Sequence, residues 1–248
     1  MKERKWPHTT YAAWLLAIYA LMFVALAVKP RDRATWVLEI APAVIAVSLL
    51  IITRNSFPLS RVSYSLLFLF LCLHTLGAHF TYSAVPYDEW SQTLLGQRIN
   101  ALFGWHRNHF DRLVHFCYGL LVAYPVREVF LRIAGVRGFW GYFLPLDLTM
   151  STSMIYELIE WGLAVVVGSD AGNAYLGSQG DPWDAQKDMA LASLGALIAM
   201  LVTAAINWKW KRDFAIELAE SLRVKRRRPL GEDALVKPGA RAADAAKA

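Results

Sequence analysis

Six long apolar runs constrain this chain more than any other feature. A bilayer core about 30 Å thick is crossed by roughly 20 mostly apolar helical residues. With no water at that depth, every backbone polar group must be satisfied within the protein, so helices are the expected form. The first run carries no formal charge from Tyr11 to Val28, the third none from Val62 to Tyr87 and the sixth none from Met189 to Trp208. The second, about 36–53, has Glu39 near its start and Pro42 in its first turns, where proline is tolerated. The fourth, about 110–130, is weaker because Asp111, Arg112, Arg127 and Glu128 crowd its ends. The fifth, about 142–167, carries Asp147, Glu157 and Glu160 and should therefore face protein or water. The expectation is an all-α polytopic membrane bundle of six transmembrane helices, with spans near 11–28, 36–53, 63–83, 110–130, 142–167 and 188–208 inside a domain covering 1–206.

Composition agrees with that class. Among 248 residues, 56% are hydrophobic and only 19% charged, which excludes disordered, collagen-like and disulfide-scaffold chains. Cys72 and Cys117 both fall in apolar runs and read as small hydrophobes rather than a bridge or a zinc site.

Charge orients the bundle. Counting Lys and Arg by segment puts 19 on the side of both termini and 7 on the other, so the positive-inside rule places both termini in the cytoplasm. Eleven of those 19 follow Asn207, and without the tail the split is 8 against 7, so the orientation rests on the tail. Ala25-Leu26-Ala27 matches a signal-peptidase pattern, but the apolar run before it is long for a signal core and Lys29, Arg31 and Arg33 follow at once. An uncleaved anchor is the expectation.

The tail itself divides in two. From 207 to 228, Trp208, Trp210, Phe214, Leu218 and Leu222 alternate with Lys209, Lys211, Arg212 and the run Lys225 to Arg228. Apolar residues at steps of four beside a basic face suit a helix lying in the cytoplasmic interface against anionic lipid head groups. A solvated basic tail that only enforces topology fits the same pattern. Residues 229–248 read as disordered. No nucleic-acid fold surrounds these basic residues, so nucleic acid is not an expected partner.

The polar residues inside the spans converge on the outer half once the orientation is set. The third span carries His74 near its middle and His79 towards its exit, five residues apart, with Gly77 between them as a site for distortion. Either histidine can serve as a metal ligand or as an interhelical hydrogen-bonder. Asp111 and His115, at i and i+4, share one helical face, where the carboxylate can orient the imidazole or both can hold one cation. Glu157 and Glu160, at i and i+3, are the strongest signal, because two acids at that depth need a cation, an arginine or a shared proton. In the outer loop, Asp181-Pro182 reads as a helix cap followed by proline at the first helical position, and Asp184 and Asp188 then share a face.

The runs His74 to Tyr82, Asp111 to Phe116, Tyr156 to Trp161 and Gln179 to Met189 together resemble the YjdF-like family of bacterial inner-membrane proteins, over nearly the whole chain to Asn207. That resemblance implies a multi-pass protein of the inner membrane and no particular chemistry. The Asp-x-x-x-His helix, the glutamate helix and the acidic start of the last helix are more faintly similar to VanZ-like membrane proteins.

No glycine-rich phosphate loop, nucleophile elbow, His-Glu-x-x-His or Cys-x-x-Cys occurs in the chain. Three readings compete. The first is a membrane enzyme whose His74, His79, Asp111, His115, Glu157, Glu160, Asp184 and Asp188 hold one or two divalent cations, zinc, manganese or iron by ligand type. In it, Glu157, Glu160 and His115 carry the catalysis, and water is directed at a lipid head group or lipid-linked phosphate. A metal is favoured over internal salt bridges because only Arg112 and Lys187 stand near enough to offset five carboxylates. The second reading is a proton- or cation-coupled transporter. The third is a non-catalytic partner of other membrane proteins, using the small face of Ala192, Gly195 and Ala199.

Overall fold

The computed structural model describes residues 8–167, 178–210, 214–223 and 225. Lys211, Arg212, Arg226 to Arg228 and the segment from Pro229 onward, all used in the sequence reading, lie outside them. Among the described residues the chain is helical and contains no strand. The helices are α1 (His8–Ala27), α2 (Arg33–Thr53), α3 (Arg61–Phe80), α4 (Tyr87–Leu95), α5 (Ile99–Phe103), α6 (Phe110–Ile133), α7 (Trp140–Val167), α8 (Asp184–Trp210) and α9 (Phe214–Ser221). Five of these, α1, α2, α3, α6 and α8, are long and apolar enough to cross a membrane. Large apolar side chains such as Leu21, Ile45, Leu69, Val166 and Leu201 point outward from the bundle, as a lipid-facing surface requires.

Local chemistry sets the helix limits. Asp32 caps α2 by accepting from the Thr35 N–H at 2.7 Å, which starts the helix at Arg33 and leaves Pro42 in the interior rather than the first turns. Ser60 caps α3, and the Glu128 carboxylate from α6 accepts from the Ser60 N–H at 2.9 Å, so the N-terminal end of α3 and the C-terminal end of α6 are tied together. The third apolar run stops as helix at Phe80, short of the expected 83, because Thr81 takes a left-handed conformation (φ 58°) and Tyr82 follows it (φ 43°). This turn folds the Tyr82 ring back over α3. A Cβ at Gly77 would lie 2.5 Å from that ring, so Gly77 makes room for Tyr82 within an unbroken helix rather than distorting it.

The last helix begins later than Asp181-Pro182 suggests. Asp181 caps a turn, accepting from the Trp183 N–H at 3.1 Å, and α8 starts at Asp184. Beyond the membrane stretch, α8 continues through Asn207 to Trp210, and α9 is a separate short helix. It docks on the start of α7, where the Gly138 N–H donates to Glu217 at 3.2 Å and the Phe139 N–H donates to Ser221 at 2.9 Å. Two backbone donors near the start of α7 thereby find acceptors on another helix.

The closest packing in the bundle joins α6 to α8. A Cβ on Gly119 would overlap the Ala192 carbonyl oxygen, and one on Gly195 would overlap the Phe116 carbonyl oxygen. Ala123, Ala192, Ala196 and Ala199 complete the seam. The small-residue face assigned above to a partner protein is thus consumed inside the chain, where lipid-embedded helices gain by close backbone approach. A second core, with Tyr19, Ile40, Leu71, Ala78, Val85 and Phe110, joins α1, α2, α3 and α6.

Candidate metal centre and its rim

Asp111 and His115 stand one turn apart at the N-terminal end of α6, and the α6–α8 seam brings Asp188 of α8 against them. One ligand atom from each of these three residues lies within 4.8 Å of the other two. Two ligands of one ion can be no more than about 4.4 Å apart for zinc and about 5.2 Å for calcium, given their bond lengths. The triad therefore meets the limit for a calcium-sized ion, and a side-chain shift of a few tenths of an ångström brings it within the zinc limit. Glu157 arrives from α7, with its Oε1 at 3.4 Å from His115 Nε2, while Asp111 Oδ1 is at 3.6 Å from the same nitrogen.

Burial and bonding distinguish these groups from ordinary helix-end acids. Asp188 is 2% exposed, Glu157 8% and His115 8%. Asp188 Oδ1 and Glu157 Oε1 are both buried and have no hydrogen-bond partner. Leaving a buried carboxylate oxygen without a hydrogen bond is costly, and carboxylates from three helices gathered around one imidazole form an acceptor-rich hollow that suits a cation.

Outside this hollow lies a rim of ion pairs. Arg107 grips Asp184 with Nη1 at 2.8 Å from Oδ1 and Nη2 at 3.1 Å from Oδ2, and Arg112 Nη2 reaches Asp184 Oδ1 at 3.1 Å. Arg112 also holds Asp181 at 2.6 Å, and Lys187 holds it at 2.5 Å. The Lys187 ammonium leads the Trp183 N–H and Arg112 in pushing the Asp181 carboxyl down to about 2, so the rim keeps its charge through mildly acidic pH. Beside it, burial first and then the Arg112 and Arg107 guanidiniums push the His109 imidazole below its ordinary value. The Gln179 side chain braces the outer turn against the loop before α6, accepting from the Asn108 N–H at 3.0 Å and donating to the Asn108 carbonyl at 2.9 Å.

The eight sequence-derived ligands thus separate. Asp111, His115, Glu157 and Asp188 come together. Asp184 belongs to the rim, with both oxygens engaged by guanidinium groups. Arg107, which the sequence reading left out of the charge balance, is the group that occupies it. His74 is buried nearby with both nitrogens in use: Nε2 donates to the Glu39 carbonyl at 3.0 Å and Nδ1 accepts from the Tyr82 hydroxyl at 2.5 Å. His79 Nδ1 donates to the Leu26 carbonyl at 2.7 Å, tying the C-terminal ends of α1 and α3. Glu160, one turn C-terminal to Glu157, pairs with Tyr156. Glu39 is the acid that sequence reasoning passed over, being buried on α2 with Oε2 unpartnered. Its signal was available, since an acid seven residues into a span is as costly as Glu157.

Residues 11–209 match a family described as predicted membrane protein (DUF2238). The chain is also 35% identical over 197 residues to the inner membrane protein YjdF of Escherichia coli (strain K12), covering 79% of this chain and 90% of that one. No solved structure matches. The fainter VanZ likeness draws no support from these comparisons.

Proposed function

The chain belongs to the DUF2238 family of predicted membrane proteins, and on that premise we propose that Asp111, His115, Asp188 and Glu157 form a divalent-cation centre in the outer half of a multi-pass inner-membrane protein. The inner membrane is the place named for its Escherichia coli relative. The observation that carries this reading is the pair of buried, unpartnered oxygens, Glu157 Oε1 and Asp188 Oδ1, around His115. Imidazole with carboxylate ligands suits zinc, manganese or iron. A cation there supplies a Lewis acid and eases deprotonation of water at neutral pH. With Arg107, Arg112 and Lys187 at the rim, the centre is placed to act on a lipid head group or a lipid-linked phosphate reaching it from the outer leaflet. The test is a phosphate-release assay on vesicles of bacterial lipid with added Mn²⁺ or Zn²⁺: release that disappears in Glu157→Gln supports the reading, and none with any metal contradicts it.

Six crossings and cytoplasmic termini follow from the same reading. The 28 residues of α7 extend about 42 Å at 1.5 Å per residue, long enough to cross. Residues early in α6 and α8 meet a residue late in α7, which supports α7 running opposite to both. Reporter fusions after Arg137 and after Arg228 should read cytoplasmic and a fusion after Gly172 external. A cytoplasmic signal at the last position would turn the site inward and contradict the assignment.

The basic tail is assigned to anionic head groups. Trp208 and Trp210 are 74% and 78% exposed at the inner end of α8, placed for the interface. A peptide of 208–228 should gain helicity on anionic vesicles and much less on neutral ones. Equal response to both would leave the tail as a topology determinant alone.

A further inference from the structure

A cavity of about 290 Å³ opens from the cation site into the bundle. Its outer end is bounded by Asp111, His115, His74 and Tyr82, and its inner part by Ala46 and Leu50 of α2, Leu67 and Phe70 of α3 and Val122 of α6. The titratable groups Asp111, His115 and His74 collect at one end, and the hydroxyls of Tyr118, Thr152 and Ser153 stand further in. From Asp111 to Val122 along α6 the lining spans about 16 Å at 1.5 Å per residue, so the cavity is elongated along the bundle axis. Ligand sites commonly have this division, a mostly apolar wall with a few convergent polar groups.

Two of the deeper polar groups, Tyr118 and Thr152, bond each other at 2.6 Å, whereas the third is left over. Ser153 of α7 lines the cavity, is 2% exposed, and its Oγ has no hydrogen-bond partner. It stands one turn towards the inner end from Glu157. Ser153 can donate to an oxygen of a molecule lying in the cavity, which would satisfy a group that the protein leaves unsatisfied. Water is a poor occupant of the inner part, because a buried water needs two to four polar partners, and with Tyr118 and Thr152 bonded to each other the wall there is mostly apolar beyond Ser153.

We propose that this cavity holds a single alkyl chain of an outer-leaflet amphiphile, with its head group at Asp111 and His115 and an ester or ether oxygen at Ser153. At about 30 Å³ for each water-sized group, the volume takes roughly ten methylenes and excludes a second chain. The proposal rests on the cation centre acting on a lipid, and it names the part of the lipid that the bundle grips. The chain belongs either to a single-chain lipid or to one arm of a two-chain phospholipid.

The test uses full-length protein in lipid nanodiscs, which avoids detergent competing for the cavity. Two photoreactive probes carry the same mid-chain diazirine acyl group, one on a lysophospholipid and one on a two-chain phospholipid. Adducts are located by peptide mass spectrometry. Adducts on Leu67, Phe70 and Val122 are expected, beside background adducts on the outward-facing Val44, Ile45 and Leu49. Ala46→Trp fills the cavity and should reduce the inner adducts about tenfold or more while leaving the outward ones unchanged. Leu67→Trp does the same from the opposite wall, and unchanged outward adducts in either variant show that the bundle is intact. Ser153→Ala should lower labelling roughly threefold. Inner adducts from the lysophospholipid alone assign a single-chain lipid, and from both probes one arm of a bilayer lipid. Adducts confined to outward residues, or inner adducts that both tryptophan variants leave unchanged, overturn the proposal. Bound metal is measured on the same samples: inner labelling without metal leaves the chain site standing and removes the cation reading, and metal without inner labelling does the reverse.

Discussion

Gly119→Val and Gly195→Val should each destabilise the bundle by about 3 kcal/mol or more and release whatever cation the outer site holds. The new side chain would meet backbone on the facing helix, the Ala192 carbonyl from Gly119 and the Phe116 carbonyl from Gly195, so no rotamer relieves the overlap. Separating α6 from α8 moves Asp188 away from Asp111 and His115, and the cost therefore appears in stability and in metal content together. Gly162→Ala is the control. A Cβ there meets nothing within 4 Å, and replacing a helical glycine by alanine should be neutral or stabilising by up to about 1 kcal/mol. Thermal unfolding of the purified variants, with metal measured on each, checks the effect. Wild-type stability in both valine variants would mean that the seam is looser than described.

Removing one ligand from the hollow should have the next largest effect. Asp188→Asn and Glu157→Gln keep side-chain shape and lose the charge, and each should lower bound divalent metal at least tenfold, a change of about 1.4 kcal/mol or more. The variants should still insert, because neither residue lies in the α6–α8 glycine seam. Asp184→Asn should behave differently. Its partners are Arg107 and Arg112, so its loss loosens the rim while Asp111, His115 and Asp188 stay in place. His74→Gln likewise should leave the metal bound, since both nitrogens of His74 are already committed within the protein. A metal loss in Asp184→Asn or His74→Gln equal to that in Asp188→Asn would return those residues to the ligand set.

These contrasts also mark where the sequence was legible. Apolar run length depends on composition alone, so five membrane-length helices and the all-α class could be read directly. The i,i+4 pair of Asp111 and His115 was legible because helical spacing determines which residues on one helix are neighbours. Spacing says nothing about rotation between helices. His74 and Glu157 therefore looked alike in the sequence, although one is satisfied by Tyr82 and the Glu39 carbonyl and the other has an unpartnered oxygen. The Tyr82 contact depends on two consecutive positive φ angles at non-glycine residues, which no turn residue announces. Arg107 was missed for a related reason. It lies in the irregular segment between α5 and α6, where no periodicity aims a side chain, and its partner Asp184 is 77 residues away. Small helices between α3 and α6 escaped as well, because α4 and α5 are too short for a periodic pattern to register.

The direct test of the central claim is the metal content of wild-type protein, purified without chelator in lipid nanodiscs, together with anomalous scattering at the absorption edge of whatever metal is found. One divalent ion per chain is expected, with its anomalous peak among Asp111, His115, Glu157 and Asp188, about 2.0 to 2.6 Å from the coordinating atoms. Protein that contains no metal, and takes up none from zinc, manganese or iron solutions, would contradict the account and make proton relay through the same acids the better reading.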